Sequence, residues 1–86
     1  MQSHITTRFR KLFKELPQEI RKCAKESYSI WKINPFHPSL HFKEIEGYPD
    51  MWSVRITIGY RAIGIRDGEE ITWSWIGSHG DYDKQI

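Results

Sequence analysis

An α+β domain, with an N-terminal helix hairpin packed on a four-stranded antiparallel sheet, is the architecture this chain predicts from three features. Apolar residues recur at three-and-four spacing up to Trp31 and at every second position from Leu40 onward. The change of period falls on the proline-rich run Asn34-Pro35-Phe36-His37-Pro38-Ser39, which marks a loop. The later runs follow one another through short turn-forming links, the pattern of an antiparallel meander.

The first helix is predicted over residues 6–15. Thr6 or Thr7 can cap it, and Phe9, Leu12, Phe13 and Leu16 make one apolar stripe. Leu16-Pro17 ends it, because the residue before proline is pushed out of the α region. Pro17 suits the first turn of a second helix, where its missing N–H is not needed. That helix covers residues 17–33 and buries Ile20, Cys23, Ala24, Ser27, Tyr28 and Trp31. A link this short predicts that the two helices lie against each other.

Strands are predicted at Leu40–Glu46, Met51–Ile58, Tyr60–Arg66 and Glu70–Ile76. In the second of them Trp52, Val54, Ile56 and Ile58 share a face. Gly47-Tyr48-Pro49-Asp50 reads as a turn, and Asp67-Gly68 as the tip of a hairpin. One face of the sheet receives the helices. The other is left to water, where polar residues of adjacent strands can converge on a ligand.

Eighty-six residues suit one domain, 1–86, and a 14% aromatic content compensates for the short core. No apolar run approaches the roughly 18–20 residues a bilayer span needs. Met1 to Thr7 lacks the segments of a signal peptide, and the lone Cys23 has no internal disulfide partner; a reduced, cytoplasmic setting is expected. Residues 1–66 carry twelve lysines and arginines against six acidic residues, whereas 67–86 carry Lys84 against five. The basic part suits phosphate or an acidic partner; solvated helix faces explain Arg8, Arg10, Lys11, Lys14, Arg21, Lys22 and Lys25 equally well. There is no G-x-S-x-G, P-loop or dinucleotide fingerprint. His37 and His41 lie four apart across a proline, and no set of ligands completes a metal site, so no cofactor is expected.

Five residues stand out for chemistry: Lys43, Arg55, Arg61, His79 and Tyr82. Lys43 and Arg55 have parities opposite to Phe42, Val54 and Ile56, and so face the polar side. Arg61 shares the parity of Ile63 and Ile65, which leaves its direction open. His79 follows Trp75-Ile76-Gly77-Ser78, where the chain leaves the sheet. Metal-free RNA cleavage asks for few groups. The 2′-hydroxyl beside the scissile phosphate attacks; the protein helps remove its proton, protonates the leaving 5′-oxygen and neutralises the transition state. Histidine as a residue type titrates near neutrality and serves as acid or base. Arginine holds phosphate oxygens and stabilises growing charge, and a tyrosine ring stacks on an unpaired base. Each residue also has a structural reading: His79 as a turn cap, Lys43 and Arg55 as surface strand residues, Tyr82 packed on Trp75 or Ile86. Glu44 and Glu46 offer a base, though a solvated edge strand explains them better.

The series Asn34-Pro35-Phe36-His37-Pro38-Ser39-Leu40, Phe42-Lys43, Ser53-Val54-Arg55-Ile56, Tyr60-Arg61-Ala62-Ile63-Gly64 and Trp75-Ile76-Gly77-Ser78-His79 resembles toxins of the RelE/ParE superfamily, over residues 6–86. The resemblance implies two helices on an antiparallel sheet, a cognate antitoxin as partner and, for RelE-like members, cleavage of mRNA on the ribosome. It implies catalytic roles for Arg55, Arg61 and His79 and RNA-binding roles for Lys43 and Tyr82. The ParE branch shares the fold but poisons DNA gyrase by binding alone, and that alternative stays open. Two departures stand beside the resemblance. The tail is acidic, and the five residues before Thr6 leave little room for the strand with which many members begin.

Overall fold

The computed structural model describes residues 1–86. In chain order the elements are β1 (Gln2–Ile5), α1 (Thr7–Glu15), α2 (Gln18–Ile33), β2 (Lys43–Glu44), β3 (Met51–Thr57), β4 (Tyr60–Asp67), β5 (Glu70–Ser78) and α3 (His79–Gln85). The five strands form one sheet in the order β1-β5-β4-β3-β2. Strands β2 to β5 pair antiparallel, as the alternation predicts. The sheet nevertheless has one strand more than expected, and it is mixed. Gln2 to Ile5 run parallel to β5, in register from Gln2 opposite Glu70 to Ile5 opposite Trp73. Four residues suffice for a ladder once β5 offers a free edge, and His4 adds a 3.2 Å contact to Glu70. No local pattern in Gln2-Ser3-His4-Ile5 announces that pairing.

Helix α1 starts and stops where its capping chemistry directs, whereas α2 follows Pro17 with no side-chain cap. The Thr6 hydroxyl accepts from the Phe9 amide at 3.0 Å, and Leu16 before the proline is extended with ψ 150°. The expected close packing of helix on helix is replaced by packing of each on the sheet. Helix α1 lies against β5 and α2 against β3. A cleft of about 410 Å³ opens between them, lined by Phe9, Phe13, Tyr28 and Trp31 among others. Of the α2 stripe only Ala24 and Trp31 are buried; Ile20, Cys23 and Ser27 are half-buried and Tyr28 is exposed along the cleft, because each helix packs on the sheet and the spacing between helices is left free.

The core under the helices joins Ala24 and Trp31 to Leu40, Phe42, Val54, Ala62, Ile71, Trp73 and Ile76. Trp31 is 1% exposed and meets Phe42 and Trp73 edge-on, with centroids 5.9 and 5.7 Å apart. Gly64 allows this crowding: a Cβ there would lie 2.8 Å from the side chains of Ile71 and Trp73.

Three further details depart from the sequence reading. The run Leu40–Glu46 yields only the two-residue β2, because a 3-10 turn at Pro38–Leu40 and a left-handed His41 (φ 48°) break the strand. Ile58 is 84% exposed in the β3–β4 turn, after a register shift between Arg55 and Thr57 takes it off the face of Val54. The hairpin tip is Gly68-Glu69, one residue later than Asp67-Gly68, with Gly68 at φ 60°. Past the sheet, residues after Ser78 form helix α3 rather than a loose tail. The Ser78 hydroxyl caps it by accepting from the Asp81 amide at 3.2 Å. Helix α3 covers a second buried cluster of Ile45, Ile63 and Trp75 through Tyr82. By strand alternation that cluster lies on the face opposite Ala62 and Ile76. No helix is long and apolar enough to cross a membrane.

Candidate functional site

Arg55 of β3 stands directly opposite Arg61 of β4. Their neighbours Val54 and Ala62 belong to the helix-side core, so alternation turns both arginines to the outer face. This answers the question that parity left open for Arg61, since Ile63 and Arg61 both face outward, under and beside α3. Like charges directly opposite on a sheet repel; an anion between them relieves that repulsion. The ion pairs of the structure are His4–Glu70, Arg66–Glu69 and Lys84–Asp81. Arg55, Arg61 and Lys43 therefore carry no carboxylate partner that a phosphate would have to displace.

The hairpin end and α3 bring the remaining groups to Arg61. Its Nε donates to Nδ1 of His79 at 3.3 Å, and its guanidinium lies 5.5 Å from the centre of the Tyr82 ring. His79 and Tyr82 stack, 6.0 Å apart and 11° from parallel. They are one turn apart near the start of α3, which makes them neighbours on a helix face. The His79 amide also donates to the Gly59 carbonyl at 2.7 Å, tying the helix start to the β3–β4 turn. A guanidinium only donates, so Nδ1 of His79 accepts and Nε2 carries the ring proton of the neutral form. The arrangement sets an imidazole beside Arg61 and an aromatic ring, with Arg55 opposite Arg61 across the strands. Such a set can bind a phosphodiester, stack a base and hand a proton to a leaving oxygen.

Of the five residues singled out from the sequence, Arg61, His79 and Tyr82 touch, with Arg55 alongside. Lys43 pairs opposite Ser53 and so shares the face; it lies at the rim, exposed and bonded to none of them. Glu44 is not part of the group. It stands opposite Trp52, and its carboxylate accepts from the Asp50 amide at 3.1 Å, fastening the turn at 47–50.

Other residues of the site escaped the sequence reading. His41 places Nε2 3.5 Å from Nη1 of Arg55. Ser53 is buried at 1% exposure, with a hydroxyl that has no partner. Its parity with Lys43 and Arg55 is the signal that places it on this face. Trp75 and Gly77 floor the site: a Cβ on Gly77 would sit 2.6 Å from the Trp75 ring. Because that indole is buried and rigid, Gly77→Ala should cost about 1–3 kcal/mol through overpacking. A chemical melt would register it; an unchanged midpoint would show that Trp75 can move aside. No three His, Cys, Asp or Glu side chains converge as a metal site would require.

No family model and no curated relative matches the sequence. Structural likeness, by contrast, spans nearly the whole chain. A RelB–RelE antitoxin–toxin complex from Methanococcus jannaschii aligns with TM-score 0.78 and 20% identity, covering 96% of this chain and 98% of that one. The isolated E. coli RelE toxin aligns with TM-score 0.68 and 17% identity, over 99% and 97% of the two chains. A YoeB/ParE toxin from Agrobacterium tumefaciens gives 0.70 and 16%, over 92% and 99%. In architecture, then, the chain has the fold of these RelE and YoeB/ParE toxins.

Proposed function

We propose that this protein is the toxin of a toxin–antitoxin pair, and that it arrests growth by cutting messenger RNA on the ribosome. The observation that carries the reading is the contact set Arg61–His79–Tyr82 beside Arg55 on an open sheet face. In the reaction the 2′-oxygen of the message attacks the adjacent phosphorus as its proton leaves. The bond to the 5′-oxygen breaks, and that oxygen takes a proton from Nε2 of His79, which acts as the imidazolium once a proton on Nδ1 replaces the bond from Arg61. Arg55 and Arg61 neutralise the charge that builds on the non-bridging oxygens, and Lys43 holds the strand at the rim. Tyr82 offers its ring to a base. The expected products are a 2′,3′-cyclic phosphate and a free 5′-hydroxyl.

The cognate antitoxin is the protein partner under this reading; its segment covers the outer face or displaces α3. Residual apolar surface on the helix layer, at Tyr28, Ile30 and Ile33, is available to the same partner.

Primer extension on a message threaded through purified ribosomes tests the reading. New 5′ ends at the decoding site, absent without ribosomes, support it. His79→Ala should reduce them by about 10²–10⁴-fold, the usual worth of a positioned acid or base. Growth arrest with no new ends, and indifference to His79, would point instead to a gyrase-binding toxin.

A further inference from the structure

We infer that His41 is a second catalytic residue, the general base that takes the 2′-hydroxyl proton while His79 acts as the acid. The inference rests on the nuclease reading above. Two independent observations single out His41. Its Nε2 lies 3.5 Å from Nη1 of Arg55, at the outer limit of a hydrogen bond. Its backbone is left-handed, with φ 48°, a conformation that non-glycine residues adopt at a cost and that clusters at functional sites.

The two histidines bracket the arginine pair. His41 meets Arg55, Arg55 faces Arg61 across the strands, and Arg61 meets His79. An in-line displacement has this symmetry, with a base on the side of the attacking oxygen and an acid on the side of the leaving one. The other base candidate on β2, Glu44, is turned to the opposite face and engaged with the Asp50 amide. The contact to Arg55 leaves Nε2 of His41 as an acceptor, since the guanidinium only donates. When a phosphate draws Arg55 away, that lone pair becomes free beside the 2′-hydroxyl.

The step balances. The 2′-proton passes to Nε2 of His41, the O2′–P bond forms and the P–O5′ bond breaks; His79, as the imidazolium with Nδ1 protonated in place of its bond from Arg61, gives its Nε2 proton to the 5′-oxygen and ends neutral. The two rings end with exchanged protonation and are reset through water. Arg55 from β3, with Lys43 two residues along the chain, is the charged surrounding of His41. Arg61 from β4 and Tyr82 within α3 surround His79, with Asp81 and Asp83 elsewhere on that helix.

His41→Asn separates chemistry from backbone, because asparagine tolerates the left-handed region. The test is single-turnover cleavage on ribosomes as a function of pH, for wild type, His41→Asn and His79→Ala. The wild type should give a bell. His41→Asn should lose about 10²–10⁴-fold at the optimum and lose the acidic limb, while His79→Ala loses the alkaline limb. Wild-type cleavage with a His41→Asn profile that keeps both limbs, at full rate or uniformly reduced, overturns the inference and leaves the nuclease reading standing. No cleavage by the wild type overturns both.

Discussion

Arg61→Ala is expected to slow cleavage by about 10²–10³-fold, the cost of losing one donor that meets transition-state charge. Arg61 has more to lose than a surface arginine. It faces Arg55 across the strands, orients the His79 ring through Nδ1, and lies over Tyr82. Removing it leaves the phosphate half-neutralised and the His79 ring free to turn. Arg61→Lys restores a positive charge without the planar fork that bonds phosphate and imidazole together. Lysine should therefore recover only part of the rate. Single-turnover rates on ribosomes, beside melts showing little change in stability, distinguish this from unfolding. Equal activity of the alanine variant and the wild type would remove Arg61 from the site.

Trp31→Ala is expected to cost about 3–5 kcal/mol, the range for deleting a large buried ring. That is a large share of the roughly 5–15 kcal/mol that holds a domain together. The ring is 1% exposed and bridges α2 to Phe42 and Trp73, so its loss opens a void where the helix meets the sheet. At about 4–8 °C per kcal/mol for a chain of this size, the melting temperature should fall by roughly 12–40 °C. Trp31→Phe makes a sharper comparison. The indole Nε1 is buried without a hydrogen-bond partner, and phenylalanine removes that orphan donor while keeping an aromatic edge in the cluster. The phenylalanine variant should lose much less than the alanine one. Equal losses would mean that ring shape alone decides the core here.

Helix α1, with its Thr6 cap and Pro17 stop, and the antiparallel order of β2 to β5 were legible in the chain, because periodicity, capping and turn chemistry act between residues close in sequence. Parity placed Lys43 and Arg55 on the outer face for the same reason. What escaped depends on partners distant in sequence. Strand β1 exists because β5, nearly seventy residues away, has an edge to pair with. The cleft between α1 and α2 exists because each helix found its own strand. Helix α3 has no apolar stripe of its own; it is seated by Tyr82 on Trp75 and by the tie from His79 to Gly59.

The site divides along the same line. The sequence by itself determined which residue types were present and which strand face Lys43 and Arg55 occupy, since a side chain's face follows from its count along the strand; the face of Arg61 was left to the structure. Only the tertiary structure decided that Arg61 meets His79, that His41 stands by Arg55, and that Glu44 is turned away. Those relations depend on cross-strand register, a left-handed backbone turn and the docking of a terminal helix. Each is settled by packing across the whole sheet, and no local pattern encodes it.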